Sequence, residues 1–192
     1  MRPAQATGLR KVLLDPLEAV EIEVAGSARA AVLVALHERH GELHAVLTRR
    51  RSDLRQHAGQ ISFPGGRVDP SDTDLPDTAL REASEEIGLP RDAVTLLGAL
   101  TPVWVRASDF AIYPFVGAIE RPASWIPAAS EVEEILELSL RDLAASYAQQ
   151  TIRRGERLID TPTFAAGDET IWGATGRILT DLLTRMALIN AN

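Results

Sequence analysis

The sequence predicts an α/β fold in which helices pack on a mixed β-sheet. Short apolar segments typical of buried strands alternate irregularly with amphipathic helical segments, and turn signals between some of the apolar segments favour hairpins. A doubly wound parallel fold would instead alternate strand and helix regularly. The length of 192 residues fits one domain spanning 1–192.

The predicted elements follow the apolar pattern along the chain. Residues 1–25 are expected to form an N-terminal arm or a short helix. Residues 28–36 are mostly apolar and predict a buried strand, and the turn signal at residues 40–42 makes residues 43–48 its hairpin partner. Further strands are expected at residues 61–63, 94–103, 111–119, 134–138 and 170–172. Helices are expected at residues 76–88, 142–147 and 176–189.

Composition and charge narrow the class of protein. The sequence contains no cysteine, which excludes disulfides, thiolate metal sites and a cysteine nucleophile. The formal net charge of −7 argues against broad nucleic-acid binding. No apolar run approaches the roughly 18 residues of a membrane span, and the N-terminus does not resemble a signal peptide. We therefore expect a cytoplasmic protein without nucleic acid or membrane as partner; the oligomeric state, including a homodimer, stays open.

Three acidic residues stand together in the helix predicted at residues 76–88. Glu82, Glu85 and Glu86 project within an arc of about 100°, on the side opposite the apolar residues. Carboxylates so close together repel one another, and a hard divalent cation such as Mg²⁺ or Mn²⁺ would relieve that repulsion. Arg81 stands beside them and can orient one by a charge-assisted hydrogen bond. Taken alone, the same pattern also fits a solvated acidic helix face.

This helix and the glycine before it resemble the Nudix box, G-x5-E-x7-R-E-U-x-E-E-x-G-U, where U is a bulky aliphatic residue. Gly66 opens the match, and residues 81–89, REASEEIGL, close it. The spacing from Gly66 to residue 81 is one residue longer than usual, Asp72 stands in place of the first Glu, and Ala83 stands where a bulky residue is usual. The resemblance implies the Nudix fold, an α/β/α sandwich around a mixed sheet, and metal-dependent cleavage of a diphosphate.

The resemblance also implies roles for individual residues. Arg81 would orient the acidic cluster, and Mg²⁺ or Mn²⁺ would activate a water for attack on phosphorus. A base must deprotonate that water, and the candidates are Glu131, which lies in a predicted loop outside the box, and Glu85 or Glu86. The implied metal ligands are three side chains and one backbone carbonyl, namely Glu82, Glu85, Glu86 and Gly66.

The segment upstream of the box is more specific. Residues 47–66, LTRRRSDLRQHAGQISFPGG, are similar to the signature of the coenzyme A pyrophosphatase branch, L-T-x-R-S-x-x-L-R-x-H-x-G-Q-x-x-F-P-G-G. This resemblance implies cleavage of coenzyme A or acyl-CoA into 3′,5′-ADP and (acyl-)4′-phosphopantetheine. The arginines of the segment fit a polyphosphate ligand, because guanidinium groups bind phosphate oxygens bidentately. The candidate substrate-binding residues are Arg50, Arg51, Arg55, His57 and Gln60.

Several alternatives stay open from the sequence. The arginines can instead pair with nearby aspartates such as Asp53, and His57 can serve a structural hydrogen bond. The substrate can be ADP-ribose or another nucleoside diphosphate derivative, or the chain can be a non-catalytic Nudix-fold nucleotide-binding module. Trp172 is expected in the core, whereas Trp104, in an expected loop, is a candidate for stacking on adenine.

Overall fold

A large mixed β-sheet forms the centre of the computed structural model, which describes residues 1–54, 58–155 and 157–188. Its eight strands are β1 (Ala28–Arg39), β2 (Glu42–Arg50), β3 (Ile61–Ser62), β4 (Gly65–Arg67), β5 (Val94–Ala99), β6 (Val103–Val105), β7 (Phe110–Ile119) and β8 (Val132–Ser139). The main path runs β3-β2-β1-β7-β5, while β4 pairs with β1, β6 with β7 and β8 with β2. β1 and β7 are parallel, and the other pairs are antiparallel, so the predicted mixed sheet is confirmed.

Five α-helices and a smaller antiparallel sheet surround the main sheet in the described part of the chain. The helices are α1 (Pro3–Arg10), α2 (Pro16–Val20), α3 (Leu75–Ile87), α4 (Leu140–Ser146) and α5 (Gly173–Arg185). The smaller sheet has the order β11-β10-β9, with strands β9 (Ala148–Arg154), β10 (Arg157–Ala166) and β11 (Glu169–Ile171). None of the described helices is both long enough and apolar enough to cross a membrane.

The two faces of the main sheet bury separate apolar cores. Along β1, Leu33 and Ala35 face α3, whereas Val34 and Leu36 face α5, because successive side chains of a strand point to opposite faces. The α3 core includes Ala79, Ala83 and Ile87, and the α5 core includes Leu179, Leu182 and Leu183. Helices on both faces of the sheet confirm the predicted α/β/α sandwich.

Local sequence signals fix the position of α3. The Asp74 side chain caps the helix by accepting a hydrogen bond of 2.7 Å from the Asp77 backbone N–H, and Pro76 occupies the first turn, where its missing N–H costs nothing. Gly88 ends the helix in the left-handed conformation, with a φ of 68° that favours glycine. The small side chain of Ala83 is fully buried against the sheet. The helix predicted at residues 76–88 is thus confirmed, and its acidic residues belong to neither apolar core, although Glu86 is buried.

Several sequence-based expectations are corrected. The single strand expected at residues 94–103 is two strands, β5 and β6, and Trp104 lies in β6 rather than in a loop, where its indole N–H donates to Asp109 at 3.2 Å. Trp172 is half-buried at the start of α5 instead of lying in the core. The β9–β10 hairpin was missed, because residues 148–166 are polar and contain a proline that weakens a strand signal.

Candidate active site

The glycine backbone of β4 packs against the acidic side of α3. A Cβ built on Gly66 would lie only 2.6 Å from the Glu82 carboxyl carbon, closer than real Cβ atoms come to other atoms. Glycine is therefore the residue that leaves room for the Glu82 carboxylate beside the β4 backbone. This contact places the start and the end of the box motif side by side.

Arg81 links the acidic residues of this region. Its Nε and Nη2 donate to the two carboxylate oxygens of Asp72 at 2.7 and 3.1 Å. Its Nη1 donates to Glu82 at 2.9 Å and to Glu85 at 3.1 Å. The bidentate bond to the Arg81 guanidinium, with hydrogen bonds from the Asp69 backbone N–H and the Thr78 hydroxyl, holds the pKa of Asp72 far below its ordinary value, although burial raises it. Asp72 therefore supports Arg81 despite being shorter than the glutamate usual at its position.

Glu86 is the most buried acid of the cluster. Its side chain is 7% exposed, and burial raises its pKa to about 8, helped by the negative charges of Glu82 and Glu131 and opposed by Arg50. Burial also raises the pKa of Glu82. The Arg50 Nη1 lies 3.8 Å from Glu86 and 3.6 Å from Glu131, too far for hydrogen bonds to either. Negative charge therefore exceeds positive charge at this point.

The chemistry of this cluster fits a hard divalent cation, since Mg²⁺ and Mn²⁺ prefer carboxylate and carbonyl oxygens. Within the described residues, no three acidic or histidine side chains are already gathered in a metal-ligating arrangement. Arg81 accounts for this, because its Nη1 holds the Glu82 and Glu85 oxygens, and Glu85 is 60% exposed. A bound cation would compensate the buried charge of Glu86 and compete with Arg81 for these two carboxylates.

The structure places the predicted substrate-binding arginines differently from one another. Arg50 lies between the acidic cluster and the cavity described below. Arg51 donates to Asp53 at 2.6 and 2.9 Å and to the Ala129 carbonyl at 2.9 Å. It therefore forms the ion pair with Asp53 that the sequence offers as an alternative to phosphate binding. Arg55 and His57 lie outside the described residues.

A cavity of about 370 Å³ lies on the α5 side of the sheet, next to β4. Gln60 reaches it from the segment before β3, and the Thr175 hydroxyl donates to the Ile61 carbonyl at 3.1 Å, fixing the start of α5 to β3. Two lining residues, Trp172 and Arg67, were not predicted as site residues. The mostly apolar remainder of the wall includes Val32, Phe63, Val105, Phe110, Ile112 and Ile178.

Comparison with known proteins agrees with the box motif and the fold. The NUDIX domain family matches residues 27–156. The chain is 36% identical over 161 residues to an uncharacterized Nudix hydrolase, NudL, from Pectobacterium atrosepticum, with 83% of each chain covered. The chain therefore belongs to the Nudix family, whose hydrolases cleave pyrophosphate bonds and generally use divalent metals.

Two solved structures share the fold at low sequence identity. A MutT/nudix family protein from Enterococcus faecalis has a TM-score of 0.56 at 16% identity, covering 97% of this chain and 75% of that chain. The NUDIX domain of Shewanella oneidensis NrtR, complexed with ADP ribose, has a TM-score of 0.51 at 16% identity, covering 76% of this chain and 88% of that chain. Both likenesses support the fold described above.

Proposed function

We propose that the chain hydrolyses the diphosphate linkage of coenzyme A or acyl-CoA, giving 3′,5′-ADP and (acyl-)4′-phosphopantetheine. The observation that carries this proposal is the position of the acidic cluster, which meets a mostly apolar cavity at β4 with Arg50 between them. A diphosphate joined to a larger organic group fits such a site, since the acidic side can hold the phosphates through a cation and the cavity can hold the organic part. The similarity of residues 47–66 to the coenzyme A pyrophosphatase signature favours this substrate.

In this proposal Glu82, Glu85 and Glu86, with the Gly66 carbonyl, hold Mg²⁺ or Mn²⁺. When bound, the cation neutralises the diphosphate and lowers the pKa of a bound water. Arg81 positions Glu82 and Glu85 through the two hydrogen bonds from its Nη1. Its own orientation is fixed by Asp72.

Glu131 is the proposed general base, because its half-exposed carboxylate lies beside the cluster and is able to exchange protons with solvent. It would accept a proton from the water whose oxygen joins one phosphate as the bridging P–O bond breaks. Arg50 would stabilise negative charge on the phosphates, since its Nε has no hydrogen-bond partner among the described residues. Arg51, Arg55, His57 and Gln60 stay proposed substrate contacts.

Product analysis tests the proposal directly. Purified protein is incubated with coenzyme A, acetyl-CoA or ADP-ribose, with Mg²⁺, Mn²⁺ or EDTA, and the products are separated by chromatography. We expect 3′,5′-ADP from both coenzyme A substrates, no product with EDTA, and a lower kcat/KM for ADP-ribose. The Glu131→Gln variant should lower kcat at least about 100-fold.

The two alternatives predict different results. A higher kcat/KM for ADP-ribose than for coenzyme A would refute the proposed substrate. Nucleotide binding without release of product from any diphosphate would identify a binding module, although the intact acidic cluster speaks against it. Cytoplasmic localisation stays a prediction from the sequence, and the oligomeric state, including a homodimer, stays open.

A further inference from the structure

Neighbouring residues of β4 point to opposite sides of the sheet. Gly66 pairs with Ala31 of β1, a residue of the α3 core, and it faces Glu82. Arg67 pairs with Ala30, which lines the cavity on the α5 side, and Arg67 lines the same cavity. Because paired residues of an antiparallel sheet share a face, the Arg67 side chain leaves β4 on the side away from the acidic cluster.

A contact with an aromatic ring positions the guanidinium of Arg67. Its guanidinium carbon lies 4.7 Å from the centre of the Phe110 ring, which is a cation–π contact. No carboxylate lies within ion-pair distance of Arg67 among the residues that the structure describes, in contrast to Arg51 and Arg81. A guanidinium that rests on an aromatic ring keeps its N–H donors available for an anion.

We propose that Arg67 determines substrate specificity by binding a phosphomonoester that the substrate carries in addition to its diphosphate. This inference rests on the proposed function and names the part of the substrate that the cavity takes. The diphosphate is held on the α3 side of β4, so a second anionic group bound by Arg67 must be separated from it by a spacer. In coenzyme A the 3′-phosphate is separated in this way from the diphosphate by the ribose.

Binding of this phosphate by Arg67 would also orient the substrate. If Arg67 binds the 3′-phosphate, the nucleoside occupies the cavity, whose aromatic residue Trp172 suits a planar base. The pantetheine arm then leaves the site on the side of the acidic cluster.

The test compares two substrates that differ only in this phosphate. The kcat/KM values for coenzyme A and for dephospho-coenzyme A are measured for the wild type, Arg67→Gln, Arg67→Lys and a control, Arg39→Gln, which removes a positive charge at the far end of β1. We expect Arg67→Gln to lower kcat/KM for coenzyme A about tenfold or more, because a hydrogen bond to a charged group is lost. The value for dephospho-coenzyme A should change less than about twofold, Arg67→Lys should recover part of the loss, and Arg39→Gln should match the wild type.

A binding measurement separates failure of this inference from failure of the proposed function. Calorimetry gives the affinities of the wild type and Arg67→Gln for 3′,5′-ADP and 5′-AMP, without any turnover. Tighter binding of 3′,5′-ADP that is lost in Arg67→Gln would support the inference even if coenzyme A is not cleaved. Equal losses for both substrates, or equal affinities for both nucleotides in the wild type, would overturn it.

Discussion

Replacing Glu86 with glutamine is expected to stabilise the metal-free protein while it abolishes activity. Glu86 is almost fully buried, and Arg50 is its nearest cation in the described part of the chain, at 3.8 Å. The ionised carboxylate is therefore poorly compensated until a cation binds. Glutamine keeps the size of the side chain and removes the charge.

The magnitude follows from the shift of the Glu86 pKa. Burial raises this pKa from 4.5 to about 8, so the folded protein resists ionisation that the unfolded chain undergoes freely. At about 1.4 kcal/mol per pKa unit, Glu86 lowers the free energy of unfolding by about 4 kcal/mol at pH 8 and by about 1 kcal/mol at pH 5. The penalty is absent below the unfolded-state pKa and grows as the pH rises towards the folded-state pKa.

Urea unfolding in EDTA, followed by circular dichroism between pH 5 and pH 8, measures this difference. Glu86→Gln should exceed the wild type in free energy of unfolding by an amount that increases with pH, to about 4 kcal/mol at pH 8. Glu85→Gln, at a largely exposed position, is the matched control and should change the free energy little. Saturating Mg²⁺ should stabilise the wild type and not Glu86→Gln, narrowing the gap by about 3 kcal/mol at 100 times the Kd. A gap independent of pH would refute the reasoning.

Three further variants probe neighbouring contacts. Asp72→Ala should lower the free energy of unfolding in urea by about 2 kcal/mol, because the two charge-assisted hydrogen bonds from Arg81 to Asp72 are lost. Gly66→Ala should lower kcat at least about tenfold with little change in Tm, because the added methyl group displaces the Glu82 carboxylate. Burial lowers the pKa of His37, so the wild type should lose stability as the pH falls below about 6.5. Urea unfolding should therefore show a smaller difference in free energy of unfolding between the wild type and His37→Gln at pH 5.5 than at pH 7.

The sequence was sufficient to predict α3 and the side of it that carries the acids. Its cap, its first-turn proline and its terminal glycine are local signals, and the apolar spacing defines which side is buried. The sheet was predicted in outline for the same reason, since β1 and β7 are long apolar runs. Such features depend on residues close together in the chain.

Other features depended on contacts between distant residues. The position of Arg50 beside Glu86 and Glu131 depends on distant parts of the chain, whereas the adjacent Arg51 pairs locally with Asp53. The bulge in β2 at residues 49–50 is not visible in the sequence. The position of Trp172 depends on the start of α5, three residues earlier than predicted. Arg67 had no signal in the sequence analysis, because the strand predicted at residues 61–63 ends before β4, whose alternation places the residue after Gly66 on the opposite face.

The short strand β4 separates the acids proposed to hold the diphosphate from the cavity proposed to hold the nucleoside. Gly65 approaches β1 so closely that a Cβ would lie 2.6 Å from the Val32 Cα, and Gly66 makes an equally close approach to Glu82. Two glycines therefore hold β4 tightly between β1 and α3, with the acids on one side and the cavity on the other. Because the backbone of β4 is so closely packed, a side chain on either glycine would move the acids relative to the cavity, and the geometry that joins the two sides would be lost.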